Sequence, residues 1–230
     1  MCELAVQSGA RTHLRQLSTR GAIERARAAR DQGADLTVEV NPHHLALTAA
    51  DGERGGPRLK VVPPLRPASE VKAVRDAVCS GLVDLISSDH APHTLEEKEV
   101  GRTDMWAAPA GFPGLETMLP VLLTTLGPEC VERIVELCAA APARRFGLAS
   151  KGRVWPGFDA DLVLVDPSEE WIVGTQDIES RAGFSVFEGR RLRGRVRHTF
   201  VRGRRALSNG VVVAESAGQL VPRTGLAGMR

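Results

Sequence analysis

Leu82-Val83-Asp84-Leu85-Ile86, followed by Ser87-Ser88-Asp89-His90-Ala91-Pro92-His93-Thr94, is the stretch on which the fold turns. The first five residues read as a buried strand. Asp89 then falls at or just past that strand's C-terminal end. In parallel α/β barrels the catalytic groups sit at that end. A carboxylate placed there binds a metal, takes a proton, or does both. Pro92 stiffens the turn and sets the direction of His93. Taken alone, the string also suits a surface turn with a solvated aspartate and two incidental histidines, so its weight rests on the residues around it.

Working outward, strand-like and helix-like stretches alternate. Thr12 to Leu17 predicts a strand. Ser18 or Thr19 caps a helix with Ala22, Ile23, Ala26 and Ala29 on its apolar side, and Gly33 ends it. Leu36 to Val40 predicts the next strand, stopped by Asn41-Pro42. Ser69 to Cys79 predicts a helix closed by Gly81, which leads into the strand before Asp89. Such strand–helix–strand units imply a parallel sheet. Leu115–Leu126 and Glu129–Ala140 predict two further helices, the second halted by Pro142. Residues 51–58 and 215–230 read as loop-like or frayed.

The pattern changes near Lys151. Gly152 to Gly157 predicts a turn and Ala160 to Asp166 a strand. Short strands follow at Trp171–Val173, Arg195–Val201 and Gly210–Ala214. A boundary is therefore expected near 149, with an all-β tail beyond it.

Composition narrows the function classes. With 230 residues the chain holds one large domain or two small ones, and its 43% apolar content suits a globular protein. A net charge of +2 carries no nucleic-acid signature. Only Arg190–Arg205 is locally basic, and it reads as solvated edge-strand charge. Cys2, Cys79, Cys130 and Cys138 lack paired spacing, which argues against a disulfide framework and a cysteine-rich zinc site. No run of about 18 apolar residues suggests a membrane span. The first residues lack the charged and apolar regions of a signal peptide. A cytoplasmic location is expected.

Several strings now stand in one order. They are Val40-Asn41-Pro42-His43-His44-Leu45, Pro63-Pro64-Leu65-Arg66, Ser88 to Thr94 with Glu96-Glu97-Lys98, Gly114-Leu115-Glu116-Thr117, Pro142 to Leu148, and Lys151 to Leu162. This series resembles dihydroorotase, of the cyclic-amidase group in the amidohydrolase superfamily, from about residue 10 to about 212. The Asp-His-Ala-Pro-His-Thr string is its most specific part. The Gly-Phe-Asp-Ala-Asp-Leu string is shared across the superfamily.

The resemblance implies an α/β fold: residues 1–148 as the C-terminal part of a (β/α)8 TIM barrel, and 149–230 as a small β-sandwich. It implies interconversion of N-carbamoyl-L-aspartate and L-dihydroorotate, a step of pyrimidine biosynthesis, at a zinc centre. Asp89 matches the aspartate that ligates zinc and shuttles the proton. His93 matches the histidine that contacts the substrate carboxylate, where an N–H donor is chemically apt. Pro109-Ala110-Gly111 matches a loop whose backbone touches substrate, so Ala110 and Gly111 join the substrate-binding set. His43 and His44 match a family signature and are read as positioning a loop through hydrogen bonds. Asp159 and Asp161 are read as turn and strand-start residues.

The chain also departs from the family pattern. It has no His-x-His pair, and roughly the first half of the family's length, with further ligands, is expected to lie outside it. Gln16 stands where the family has a zinc-binding histidine, and an amide is a poor zinc ligand. On a strand His13 faces away from Gln16. Val62 stands where the family has a substrate-holding asparagine. With Asp89 as the one remaining ligand, zinc retention and activity are not expected of the chain by itself.

Three readings follow: a segment of a dihydroorotase, a non-catalytic dihydroorotase-like partner protein, and another cyclic amidase of allantoinase or hydantoinase type. The expected associations are a small-molecule substrate, a second copy of the chain, and aspartate transcarbamoylase, with neither nucleic acid nor membrane.

Overall fold

A computed structural model describes residues 1–213 and 218–222. Its first part is a parallel sheet of three strands in the order β1 (Thr12–Leu14), β2 (Leu36–Val40), β3 (Leu85–Ile86). Thr12 pairs with Leu36 and Leu14 with Val38; Glu39 pairs with Leu85 and Val40 with Ile86.

Alternation along β2 gives the sheet two different faces. Leu36, Val38 and Val40 are buried against Ile23, Ala26 and Ala29 of the helix Arg20–Asp31 and Val74, Ala77 and Val78 of the helix Ala68–Cys79. Thr37 and Glu39 point the other way, into a polar layer. The Thr19 hydroxyl accepts from the Ala22 N–H and starts the first helix, and Gly33, at φ +93°, follows its end.

Several sequence expectations need correction. The strand expected over Thr12–Leu17 stops at Leu14, because Gln16 adopts a left-handed backbone, φ +60°. The strand expected over Leu82–Ile86 narrows to two paired residues. Residues 51–58, expected as a loop, lie in the helix Ala49–Gly55 and a 3-10 turn Gly56–Leu59. A capping box drives that helix: Thr48 Oγ1 accepts from the Asp51 N–H while the Asp51 carboxylate accepts from the Thr48 N–H at 2.8 Å. Pro142 does not end its helix. The π turn Glu136–Ala140 precedes it, and Ala141–Phe146 continues as α-helix. The wider turn removes the need for the hydrogen bond that a proline lacks.

The tail, expected as a sandwich, contains among the described residues one antiparallel sheet in the order β4 (Leu162–Ile172), β5 (Arg191–Val201), β6 (Arg204–Ser208), β7 (Val211–Val212). β4 unites the two strands expected at Ala160–Asp166 and Trp171–Val173; its register shifts between Asp166 and Glu170, around Pro167. Ala214, and residues 215–230 apart from 218–222, lie outside the described residues. The basic stretch Arg190–Arg205 is largely ion-paired rather than free. Arg190 reaches Asp51 at 2.6 Å, Arg193 reaches Glu170 at 3.1 Å, and Arg195 reaches Asp177 at 2.9 Å. None of the described helices is long and apolar enough to cross a membrane.

A second apolar cluster joins Leu47, Val61, Phe112 and Val121 to Val173, Phe184, Phe187 and Leu192 of the tail. Gly194 is central to this seam. Its φ is +93°, its carbonyl accepts from Trp171 Nε1 at 3.1 Å, and a Cβ there would collide with the buried Leu123 side chain. Gly194→Ala combines a left-handed alanine with that collision, so it is expected to cost about 1–3 kcal/mol. Urea unfolding followed by tryptophan fluorescence measures it.

Candidate functional site

Asp89 lies three residues beyond the end of β3, half-buried, with a left-handed φ of +51°. Aspartate tolerates that region better than most residues, and its use here turns the carboxylate across to Gln16. Gln16 Nε2 donates to Asp89 Oδ1 at 2.5 Å. Both partners of this bond therefore occupy left-handed backbone at the C-terminal ends of β1 and β3. Burial raises the Asp89 pKa, opposed by the Gln16 hydrogen bond and the Arg15 charge and reinforced by Glu39.

Beneath this pair is Glu39, 5% exposed, on the polar face of β2. It receives His13 Nε2 at 3.1 Å and the Ser87 hydroxyl at 2.7 Å. Leu17 N donates to the Glu39 carbonyl at 2.9 Å. Asn41 Nδ2 donates to the Ser87 carbonyl at 3.0 Å. His13 is thus engaged with Thr37 and Glu39 and does not replace a ligand beside Asp89.

His93 follows Asp89 by one tight turn. Its Nδ1 lies 3.4 Å from Glu97 Oε2, and Glu97 also caps the helix Leu95–Glu99 by accepting from the Thr94 N–H at 2.9 Å. The loop at 109–111 packs against this turn. Gly111 has φ +113°, and a Cβ there would lie 2.5 Å from the Ala91 methyl. Only glycine admits that approach without displacing the turn. The Ala91 N–H donates to the Phe112 carbonyl at 3.1 Å, and the Gly111 N–H donates to the Lys60 carbonyl at 2.9 Å. Ala110 is exposed, whereas Gly111 is buried.

Lys98 holds this loop. The side chain is wholly buried, and its ammonium donates to the carbonyls of Gly111 at 2.7 Å, Pro109 at 2.8 Å and Lys60 at 3.1 Å. Burial and the neighbouring Lys60 pull its pKa down to about 8. His90 secures the next segment, its Nδ1 accepting from the N–H groups of Gly114 and Leu115, each at 3.2 Å. Val62 is exposed, beside the cis Val62–Pro63 peptide.

The geometry gathers Asp89, Gln16 and Glu39 across the strand ends, and seats His93 against Gly111. Sequence reading missed Lys98, which sits in the charged run Glu96-Glu97-Lys98 and looks solvated. It also missed Glu39; its signal was a lone acid in an otherwise apolar strand. A zinc centre is not fitted by these residues. Among the described residues no three His, Cys, Asp or Glu side chains converge, and one Asp89 oxygen is taken by an amide.

His43 and His44 lie beneath the site in the helix Pro42–Ala46, their rings 4.2 Å apart. His44 Nε2 donates to the Pro63 carbonyl at 3.1 Å, and His43 meets the Phe112 ring at 5.1 Å. His44 thus reaches the 63–66 loop by a hydrogen bond, whereas the buried His43 Nε2 has no hydrogen-bond partner among the described residues and His43 meets its neighbours by ring packing. Burial lowers the His43 pKa well below its usual value and, against the Pro63 hydrogen bond, brings His44 down to about 4.

The sequence profile of the amidohydrolase family matches residues 1–206. The chain is 40% identical to an allantoinase of Rubrobacter xylanophilus over 95% of its length and 48% of that protein's. It is 41% identical to a dihydroorotase of Anaeromyxobacter dehalogenans over 86% of its length and 46% of that protein's. It thus spans about half the length of the curated relatives it matches. Among solved structures it superposes on the L-hydantoinase of Arthrobacter aurescens with a TM-score of 0.88 and 34% identity, covering 93% of this chain and 48% of that one. On a D-hydantoinase from Thermus sp. the TM-score is 0.91 at 30% identity, covering 96% and 50%.

Unfolded histidines bind protons below about pH 6.5, while His43 and His44 in the folded chain remain neutral to lower pH. Folding is thus expected to lose stability as pH falls from about 6.5 towards 4, by about 3 kcal/mol for His44. Urea unfolding across that window should show the loss, and His44→Asn should reduce it by the His44 share, leaving the part that His43 contributes.

Proposed function

The chain belongs to the amidohydrolase family, and we propose that it supplies the proton-handling carboxylate and the substrate-binding turn of a dihydroorotase-type cyclic-amide hydrolase. The observation that carries this reading is the placement of Asp89. It stands at the C-terminal end of a parallel strand, half-buried with a raised pKa, close in sequence to a turn clamped against the 109–111 loop.

In this reading the sheet β1–β3 is part of a (β/α)8 barrel spanning residues 1–148, and 149–230 is its accessory β domain. Hydrolysis of a cyclic amide requires a base that accepts a proton from attacking water and returns it to the departing ring nitrogen. A carboxylate with a raised pKa suits both steps. His93 binds the substrate carboxylate through an N–H, and the backbone of Ala110 and Gly111 lines the same side. Lys98 keeps that backbone in place. Zinc, in the parent enzymes, activates the water and polarises the ring carbonyl. Gln16 occupies one Asp89 oxygen and no three ligand-type side chains converge among the described residues, so no step is assigned to a metal held by these residues. The reading includes self-association. Aspartate transcarbamoylase is not part of it.

A second reading, an allantoinase- or hydantoinase-type amidase, is favoured by the 40% identity to an allantoinase over nearly the whole chain. His93 separates the two, because dihydroorotate carries a carboxylate that allantoin and hydantoin lack. By calorimetry, His93→Gln is expected to weaken L-dihydroorotate binding roughly tenfold and leave hydantoin binding unchanged. Equal loss for both, or preferred binding of allantoin, would favour the second reading.

A further inference from the structure

Asp89 marks one end of the parallel sheet. At the other end lies a cavity of about 620 Å³, within the size range of small-molecule sites. Apolar residues such as Leu85 and Leu148 share its lining with six basic side chains and two acidic ones, Asp84 and Glu136.

Most of these charges are already matched. Asp84 is held by Arg30 at 2.9 and 3.0 Å and by the Val38 N–H at 2.7 Å. Arg11 and Arg145 both pair with Asp35, and Lys151 pairs with Asp159 and Asp161. Three guanidiniums remain, those of Arg133, Arg144 and Arg153, around the single carboxylate of Glu136. Arg144 forms the ion pair with it. Arg153 has no hydrogen bond or ion pair among the described residues, and is exposed. Arg133 donates from Nη2 to the Val83 carbonyl at 2.6 Å, but its Nε is buried without a partner. A buried donor without an acceptor is unfavourable, and guanidiniums in excess over carboxylates match the geometry of a multivalent oxyanion.

We propose that this cavity binds a small phosphate-bearing anion, with Arg133 and Arg153 as its principal ligands. The anion completes the unpaired Arg133 Nε–H and balances the charge left over around Glu136. Because Arg133 also holds the Val83 carbonyl just before β3, occupancy links this end of the sheet to the strand that carries Asp89.

Titration calorimetry on the full 230-residue chain tests this, with pyrophosphate, inorganic phosphate and ribose 5-phosphate as probes at ionic strength matched with chloride. One site per chain is expected. A tighter fit for ribose 5-phosphate than for phosphate identifies an organic phosphate; the reverse identifies the free oxyanion. Arg153→Gln removes an exposed side chain with no hydrogen bond or ion pair among the described residues, so it should leave the melting temperature nearly unchanged and weaken pyrophosphate roughly tenfold. Arg133→Gln should weaken it at least as much. Arg27→Gln, an exposed position on the helix Arg20–Asp31, should leave affinity unaltered. Absence of binding, or equal affinity in the wild type and Arg153→Gln, overturns the proposal even if Arg133→Gln fails to fold.

Discussion

One buried side chain, Glu39, ties the three parallel strands together on their polar face. It takes a hydrogen bond from His13 of β1 and another from Ser87 just beyond β3, while its own backbone carbonyl receives Leu17. A carboxyl group at 5% exposure is costly unless its oxygens are occupied, and here they are. Leaving a buried carboxylate oxygen without its donor costs about 1–3 kcal/mol, so the register of β1 and β3 against β2 and the polarity of this face depend on it. The opposite face needs no such device. Leu36, Val38 and Val40 close against two helices through ordinary apolar burial.

On that platform two residues take left-handed backbone, Gln16 and Asp89, and meet through an amide–carboxylate bond. Each strand end is bent so that a polar group turns inward instead of continuing the ladder. Next to it, the loop at 109–111 has no regular secondary structure of its own. Lys98 replaces a sheet's hydrogen bonds by satisfying three carbonyls with one ammonium. Glu39 thus fixes the segment just before Asp89 through Ser87, and Lys98 holds the 109–111 loop that packs on the turn.

Much of this was legible in the sequence because it follows from local periodicity. β2 and the helix ends obey apolar spacing, Gly33 and Asn41-Pro42 stop their elements where expected, and the strand before Asp89 is announced by its apolar run. The misses arise where a distant partner decides. Nothing local to Gln16 reveals that β1 ends early, since its left-handed turn is stabilised by Asp89, 73 residues away. Lys98 reads as a surface charge until the 109–111 carbonyls surround it. Pro142 signals a stop that a π turn one residue upstream overrides. The helix Ala49–Gly55 is hidden by its glycines, although the Thr48–Asp51 cap was readable. Gln16 stood out in the sequence only by its resemblance-based position, and its hydrogen bond to Asp89 is visible only in three dimensions.

The Gln16 amide occupies an Asp89 oxygen that a shared metal would need. Metal content settles it most directly. The 230-residue chain, purified, equilibrated with excess zinc and desalted, is analysed by elemental mass spectrometry. Zinc far below one equivalent per chain is expected, unchanged in Asp89→Asn. One full equivalent of zinc, lost on Asp89→Asn, would contradict it.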